Sequence, residues 1–141
     1  MKRTQRMLIA AALSATLAAP LAAFATALPS PKTQGDITYI SGGVGHDEAQ
    51  AMEQAAKEWP LALEFAIKAK PHDEYASNVK VSIRDMHGKT VFDSTANGPF
   101  LLLKLTPGKY VVTAERDHHK LERHVTLAAN QHKREVFVWA S

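Results

Sequence analysis

The sequence predicts a mainly-β protein, a β-sandwich carrying one α-helix near the N-terminus of its mature part, and three observations support this. Apolar residues recur at helical spacing in one segment of that part only, residues 47–59. Around it lie about eight short runs that alternate apolar and polar residues with a period of two, each bounded by turn-forming Gly, Pro, Asn or Asp. The 141 residues include no cysteine, so the fold has to be held by packing alone.

The first 27 residues read as a cleaved secretory signal. Lys2, Arg3 and Arg6 supply the basic start, residues 7–17 are apolar and uncharged, Pro20 breaks the run, and Ala25-Thr26-Ala27 fits a small-x-small cleavage site. A membrane anchor needs roughly 20 predominantly apolar residues, whereas this Ala-rich run stops at Pro20 and a polar stretch follows. Without cysteine there is no lipid-modified start, and Arg3 and Arg6 do not form a twin-arginine pair. The expectation is a periplasmic or secreted protein with no stable membrane insertion after cleavage. The whole-chain net charge of +3 comes from Lys2, Arg3 and Arg6; the remaining fourteen basic residues balance the fourteen acidic ones. Such a balance lacks the basic footprint of a nucleic-acid binder.

Residues 28–36, with Pro29, Pro31 and Gly35, read as a flexible lead-in to a single domain over residues 37–141. Residues 37–41 are a first strand, ended by Gly42-Gly43-Val44-Gly45. Asp47 is the expected N-cap of the helix, and Ala49, Met52, Ala56 and Trp59 form its apolar face. Pro60 ends the helix by forcing the preceding residue out of the α region. Leu61, Leu63, Phe65 and Ile67 then alternate with Ala62, Glu64, Ala66 and Lys68 as a half-buried strand. A polar loop over residues 71–78 leads to strands at 79–84 and 90–93, joined by a turn at 85–88. A turn cluster at 94–99 precedes a strand at 100–105. Thr106-Pro107-Gly108-Lys109 reads as a tight hairpin into the strand at 110–115. A polar tip at 116–120 leads to a strand at 121–127, and the last strand covers 134–139, with Phe137 and Trp139 on one side and Val136 and Val138 on the other.

Part of this pattern resembles a known family. Val79-Lys80-Val81-Ser82-Ile83 with Asp85 and Gly88, Gly98-Pro99-Phe100 with Leu103 and Leu105, and Pro107-Gly108-Lys109-Tyr110 with Val112 and Ala114 together resemble the carboxypeptidase regulatory-like domains. The resemblance spans residues 79–127 and is most specific in the Leu-x-Pro-Gly-x-Tyr-x-Val pattern at residues 105–112. It implies a transthyretin-like or immunoglobulin-like β-sandwich and a non-catalytic accessory or binding role, so it carries over no catalytic residue. Tyr39-Ile40-Ser41-Gly42-Gly43-Val44-Gly45 with Asp47-Glu48 also resembles the opening of small exported bacterial proteins that contain this domain and have no assigned activity. The implied function is an exported, non-enzymatic module with a binding or structural role in the cell envelope, its partner an envelope protein or ligand.

No segment carries an enzyme's signature. The glycine-rich turn at residues 42–45 invites a phosphate cradle, but no Lys-Ser/Thr follows, and Asp47 and Glu48 place negative charge where the anion would sit. The acid pairs Asp47/Glu48 and Asp73/Glu74 are adjacent and diverge, and Ser41, Ser77, Ser82, Ser94 and Ser141 lie in no nucleophile-elbow pattern. No cofactor is implied. The alternative function is a histidine-mediated periplasmic metal-binding protein using His118, His119, His124 and His132, with Glu122 and Glu115 as candidate carboxylate ligands across a hairpin. The spacing of these histidines matches no closed metal site. Of the aromatic residues, Trp59, Phe65, Phe100, Tyr110 and Phe137 are expected in the core, and Trp139 is expected to be partly exposed on an end strand open to a partner.

Overall fold

Side chains alternate across a strand, so each period-two run has one face to bury, and two sheets stacked face to face satisfy all of them. The computed structural model describes residues 28–141; the signal segment expected over residues 1–27 lies outside the described residues. The strands are β1 (Lys32–Gln34), β2 (Ile37–Gly42), β3 (Leu61–Ile67), β4 (Glu74–Tyr75), β5 (Val79–Asp85), β6 (Thr90–Ala96), β7 (Phe100–Lys104), β8 (Gly108–Arg116), β9 (His119–Leu127) and β10 (Lys133–Trp139), with one helix, α1 (His46–Ala56), after β2. One sheet has the order β1-β2-β7-β3-β10, with β4 extending the β7 side of β3, and the other has the order β6-β5-β8-β9. All pairs are antiparallel except β3 with β10, which run parallel from Leu61↔Lys133 to Ile67↔Trp139. The protein is a β-sandwich with a single helix, as the hydrophobic pattern predicts.

Two cores result. Between the sheets lie Leu61, Leu63 and Phe65 of β3, Val81 and Ile83 of β5, Phe92 of β6, Val112 of β8 and Phe137 of β10, all essentially inaccessible to solvent. On the far side of the first sheet, α1 packs Ala49 and Met52 onto Ile40, Ala62, Phe100 and Leu102, with Trp59 at the margin. This second core corrects the half-buried reading of β3. Ala62 and Ala66 are buried as well as Leu61, Leu63 and Phe65: Ala62 packs in the cluster under the helix, which covers part of the face that alternation would give to water, and Ala66 is paired with Tyr75 of β4. A fully buried Leu, Phe or Met contributes about 1.5–3 kcal/mol, so Met52 alone is a substantial part of what holds the helix down.

Several local expectations are corrected. Residues 32–34 of the expected lead-in are a strand, closing a hairpin with β2 through Gly35, whose φ of +57° suits a residue without Cβ. The helix N-cap is Gly45 with no side-chain hydrogen bond, and Asp47 and Glu48 stand in the first turn. Residues 94–96 continue β6, leaving only 97–99 as the turn, and Glu74–Tyr75 in the polar loop adds to the sheet. Pro107-Gly108 makes no hairpin. β7 and β8 belong to different sheets, so this turn carries the chain across the sandwich. The crossing is pinned by Tyr110, whose hydroxyl donates to the Thr106 carbonyl at 2.7 Å and lies 3.1 Å from Thr106 Oγ1. That is a tyrosine corner, a feature of Greek-key sandwiches.

Candidate functional site

A sandwich has four sheet edges, each a row of unpaired backbone groups that invites another strand. Three are blunted here. β1 is three residues long. At β6, the Gln34 side-chain amide imitates a neighbouring strand, donating from Nε2 to the Asp93 carbonyl at 2.9 Å and accepting the Asp93 N–H at 2.8 Å. β9 bears Lys120, Glu122, Arg123 and His124, with the Arg123 guanidinium lying 5.3 Å from the Phe137 ring centre across the gap between the sheets. β10 is charged only over its first half, at Lys133, Arg134 and Glu135; among the described residues, nothing comparable covers its second half, residues 136–139.

The hydrogen-bond phase of β10 defines what its edge presents. Lys133 N–H donates to the Pro60 carbonyl at 2.9 Å and the Trp139 carbonyl accepts from Lys68 N–H at 2.8 Å. In a parallel ladder alternate residues direct both backbone groups to the same neighbour, so 133, 135, 137 and 139 face β3. Arg134, Val136 and Val138 aim their N–H and C=O groups outward. The same three residues carry their side chains on the outer face of the sheet, where Val136 and Val138 are 40% and 36% exposed. Phe137 and Trp139 fill the core instead. Trp139 is only 4% exposed, and its indole N–H donates to the His119 carbonyl at 3.0 Å. The expectation of a partly exposed Trp139 is therefore corrected: the ring has a polar partner and an apolar slot, and the valines are the exposed apolar groups of the end strand.

Beside the valines lies a charged rim. Arg134 forms a hydrogen-bonded ion pair with Glu64 of β3, and the Glu64 side chain is only 12% exposed. Donating a hydrogen bond to this carboxylate raises the Arg134 guanidinium pKa above its ordinary value. Tyr75 of β4 packs edge-on against Phe100 at 5.4 Å and donates to Glu53 of α1 at 3.5 Å. Partial burial, then the neighbouring Glu53 and Glu64 carboxylates, raise its hydroxyl pKa above the usual 10.0.

The four candidate histidines are dispersed. His118 is in the two-residue turn between β8 and β9, where it and Asp117 both have positive φ, and His119 turns its Nδ1 to the Asp117 carbonyl at 2.9 Å. His124 stands on the outward face of β9, 3.4 Å from Glu122 and opposite Val111, while Glu115 is opposite Lys120. His132 bonds through Nδ1 to the Trp59 carbonyl at the start of β10. His119 is at the far end of that strand, beside Trp139, so His132 and His119 lie roughly 20 Å apart at about 3.3 Å per residue. Among the described residues, no group of three or more His, Asp or Glu is placed to hold a metal ion. His118 and His119 instead border an open groove of about 780 Å³ with Arg116, Ile67, Leu121 and Trp139.

The glycine-rich turn is occupied by protein. Glu48 Oε1 accepts the Gly43 N–H at 2.8 Å, holding a carboxylate at the donor an anion would need. The acid pairs separate: Asp47 is exposed on the helix, while Asp73 caps the Ala69 N–H at 3.4 Å and lies 3.7 Å from Lys68. Ser41 Oγ accepts the Asn97 N–H at 2.8 Å and thereby ties the end of β2 to the turn before β7. Compared with protein-family models and with curated proteins, the chain matches none. The open edge is the feature that sequence reasoning assigned to the wrong residue. Its signal was present in the alternation of Val136 and Val138 against Phe137 and Trp139.

Proposed function

We propose that this chain is an exported, non-catalytic β-sandwich module that acts in the periplasm or outside the cell, in a binding or structural role, through strand pairing at β10. The observation that carries this reading is the contrast among the edges. Three are shortened, capped or charged along their length, while β10, charged only at Lys133, Arg134 and Glu135, offers outward backbone groups at Arg134, Val136 and Val138 and two exposed valines among them. Main-chain bonds give such an edge its affinity and the alternate side chains give it selectivity. The resemblance to carboxypeptidase regulatory-like domains agrees with an accessory role, and the signal-like residues 1–27 agree with export.

The test is site-directed photo-crosslinking in the exporting cell. A crosslinking amino acid at position 136 is expected to give a discrete adduct in the envelope fraction, and one at position 82, on the polar outer face of the second sheet, is expected to give none. No adduct from position 136, or the same adducts from both positions, refutes the reading.

A further inference from the structure

We propose that the partner of β10 is β10 of a second copy of this chain, paired antiparallel about a twofold axis at Val136, so that the two six-strand sheets become one continuous sheet. The inference rests on the reading of β10 as a pairing edge and names its occupant.

Self-pairing is favoured by register and by charge. In an antiparallel ladder, residues that aim their backbone groups at the partner must face one another. A twofold axis at Val136 uses every open position: Val136 faces Val136, and Arg134 of each copy faces Val138 of the other. No like charges are opposed. Slipping the axis to residue 135 sets Glu135 against Glu135, and slipping it to 134 sets Arg134 against Arg134, both unfavourable as directly opposed pairs. Arg134 does not bring an unpaired charge to Val138, because its guanidinium is already bound to Glu64. Its aliphatic stem is the part free to cover the valine.

The exposed valines on the outer face, Val136 and Val138, then close into a row of four across the two copies. The fourteen basic and fourteen acidic residues after position 27 leave no net charge to hold the copies apart at neutral pH. One seven-residue strand per copy is a small contact compared with the roughly 1,200–2,000 Å² typical of stable complexes, so the dimer is a reversible one.

The experiment is sedimentation equilibrium on protein recovered from the envelope fraction after expression of the full chain, combined with amide hydrogen exchange. As the protein concentration is raised from about 5 to about 500 μM, equivalent to dissociation free energies of roughly 7 to 4.5 kcal/mol, the mass is expected to rise toward twice the monomer value. Exchange at Arg134, Val136 and Val138 is expected to slow several-fold with concentration, while Glu135 and Phe137, already bonded to β3, stay unchanged. Val136→Lys and, separately, Val138→Lys, which sets a lysine against Arg134 of the other copy, are expected to remain monomeric. Circular dichroism checks that each variant is folded, and Ser82→Lys on the other sheet is expected to leave the dimer intact. A monomer throughout the range, or a dimer unaffected by both valine variants, overturns the proposal. If the wild-type chain is monomeric but position 136 crosslinks to a different envelope protein, self-pairing fails and the edge reading stands. If neither occurs, both fail.

Discussion

Removing the hydroxyl and then the ring of Tyr110 dissects the crossing between the two sheets. The hydroxyl donates to the Thr106 carbonyl at 2.7 Å, and the residue is 8% exposed. Tyr110→Phe deletes that bond and leaves a partly buried carbonyl without its donor, at a cost of about 1 kcal/mol. Tyr110→Ala also empties the space the ring fills among Val112, Val125 and Leu127, and truncation of a large core ring costs roughly 3–5 kcal/mol. The two variants therefore differ by some 2 kcal/mol or more, which is the contribution of the ring. Urea unfolding followed by tryptophan fluorescence measures both, with an unchanged m-value confirming that the unfolded reference is the same. At roughly 4 °C per kcal/mol, Tyr110→Phe is expected to melt about 4 °C lower and Tyr110→Ala more than 10 °C lower. A loss below about 0.5 kcal/mol in Tyr110→Ala would mean the ring behaves as a surface group, and the tyrosine-corner reasoning would be wrong.

Gly98→Ala is expected to destabilise by about 1–3 kcal/mol through overpacking, because a Cβ at this position would lie 2.5 Å from the Gly42 carbonyl oxygen, a backbone atom that cannot turn aside; a melting temperature equal to wild type would show that the two turns can separate freely. Tyr75 has a folded-state pKa above 10.0, so the stability it contributes is complete below that pH and is lost as the pH rises through its folded-state value. The Tyr75→Phe variant is expected to show a flatter decline in stability above pH 10, and identical alkaline curves would show that the shift is absent. The exported protein is expected to begin at Leu28, after Ala25-Thr26-Ala27; intact-mass analysis of the envelope form decides this, and retention of residues 1–27 would refute it.

By itself the sequence determined the fold class and most of the strands, since a period of two with turn residues at the breaks needs only local information. It also marked the helix through the shared face of Ala49 and Met52, but not its end: α1 stops at Ala56, a turn before Pro60, and Trp59 lies beyond it at the margin of the second core. The sidedness of β10 was legible too, with Phe137 and Trp139 set against Val136 and Val138. What lay beyond local pattern was which elements meet. Alternation in β3 shows two faces but not that α1 covers part of one, so the burial of Ala62 depends on a contact between separate elements. Pro107-Gly108 has the composition of a hairpin, and only the assignment of β7 and β8 to different sheets makes it a crossing, fixed by a hydrogen bond from Tyr110 back to Thr106. The histidines look clustered in the chain because sequence distance ignores direction; His132 and His119 sit at opposite ends of one extended strand. Trp139 looked exposed because it lies near the end of the chain, but a neighbouring strand supplied a carbonyl for its indole N–H and a slot for its ring. Local chemistry determines which elements form, while the tertiary pairing of those elements decides which edge is left open, and here it left open the one made by Arg134, Val136 and Val138.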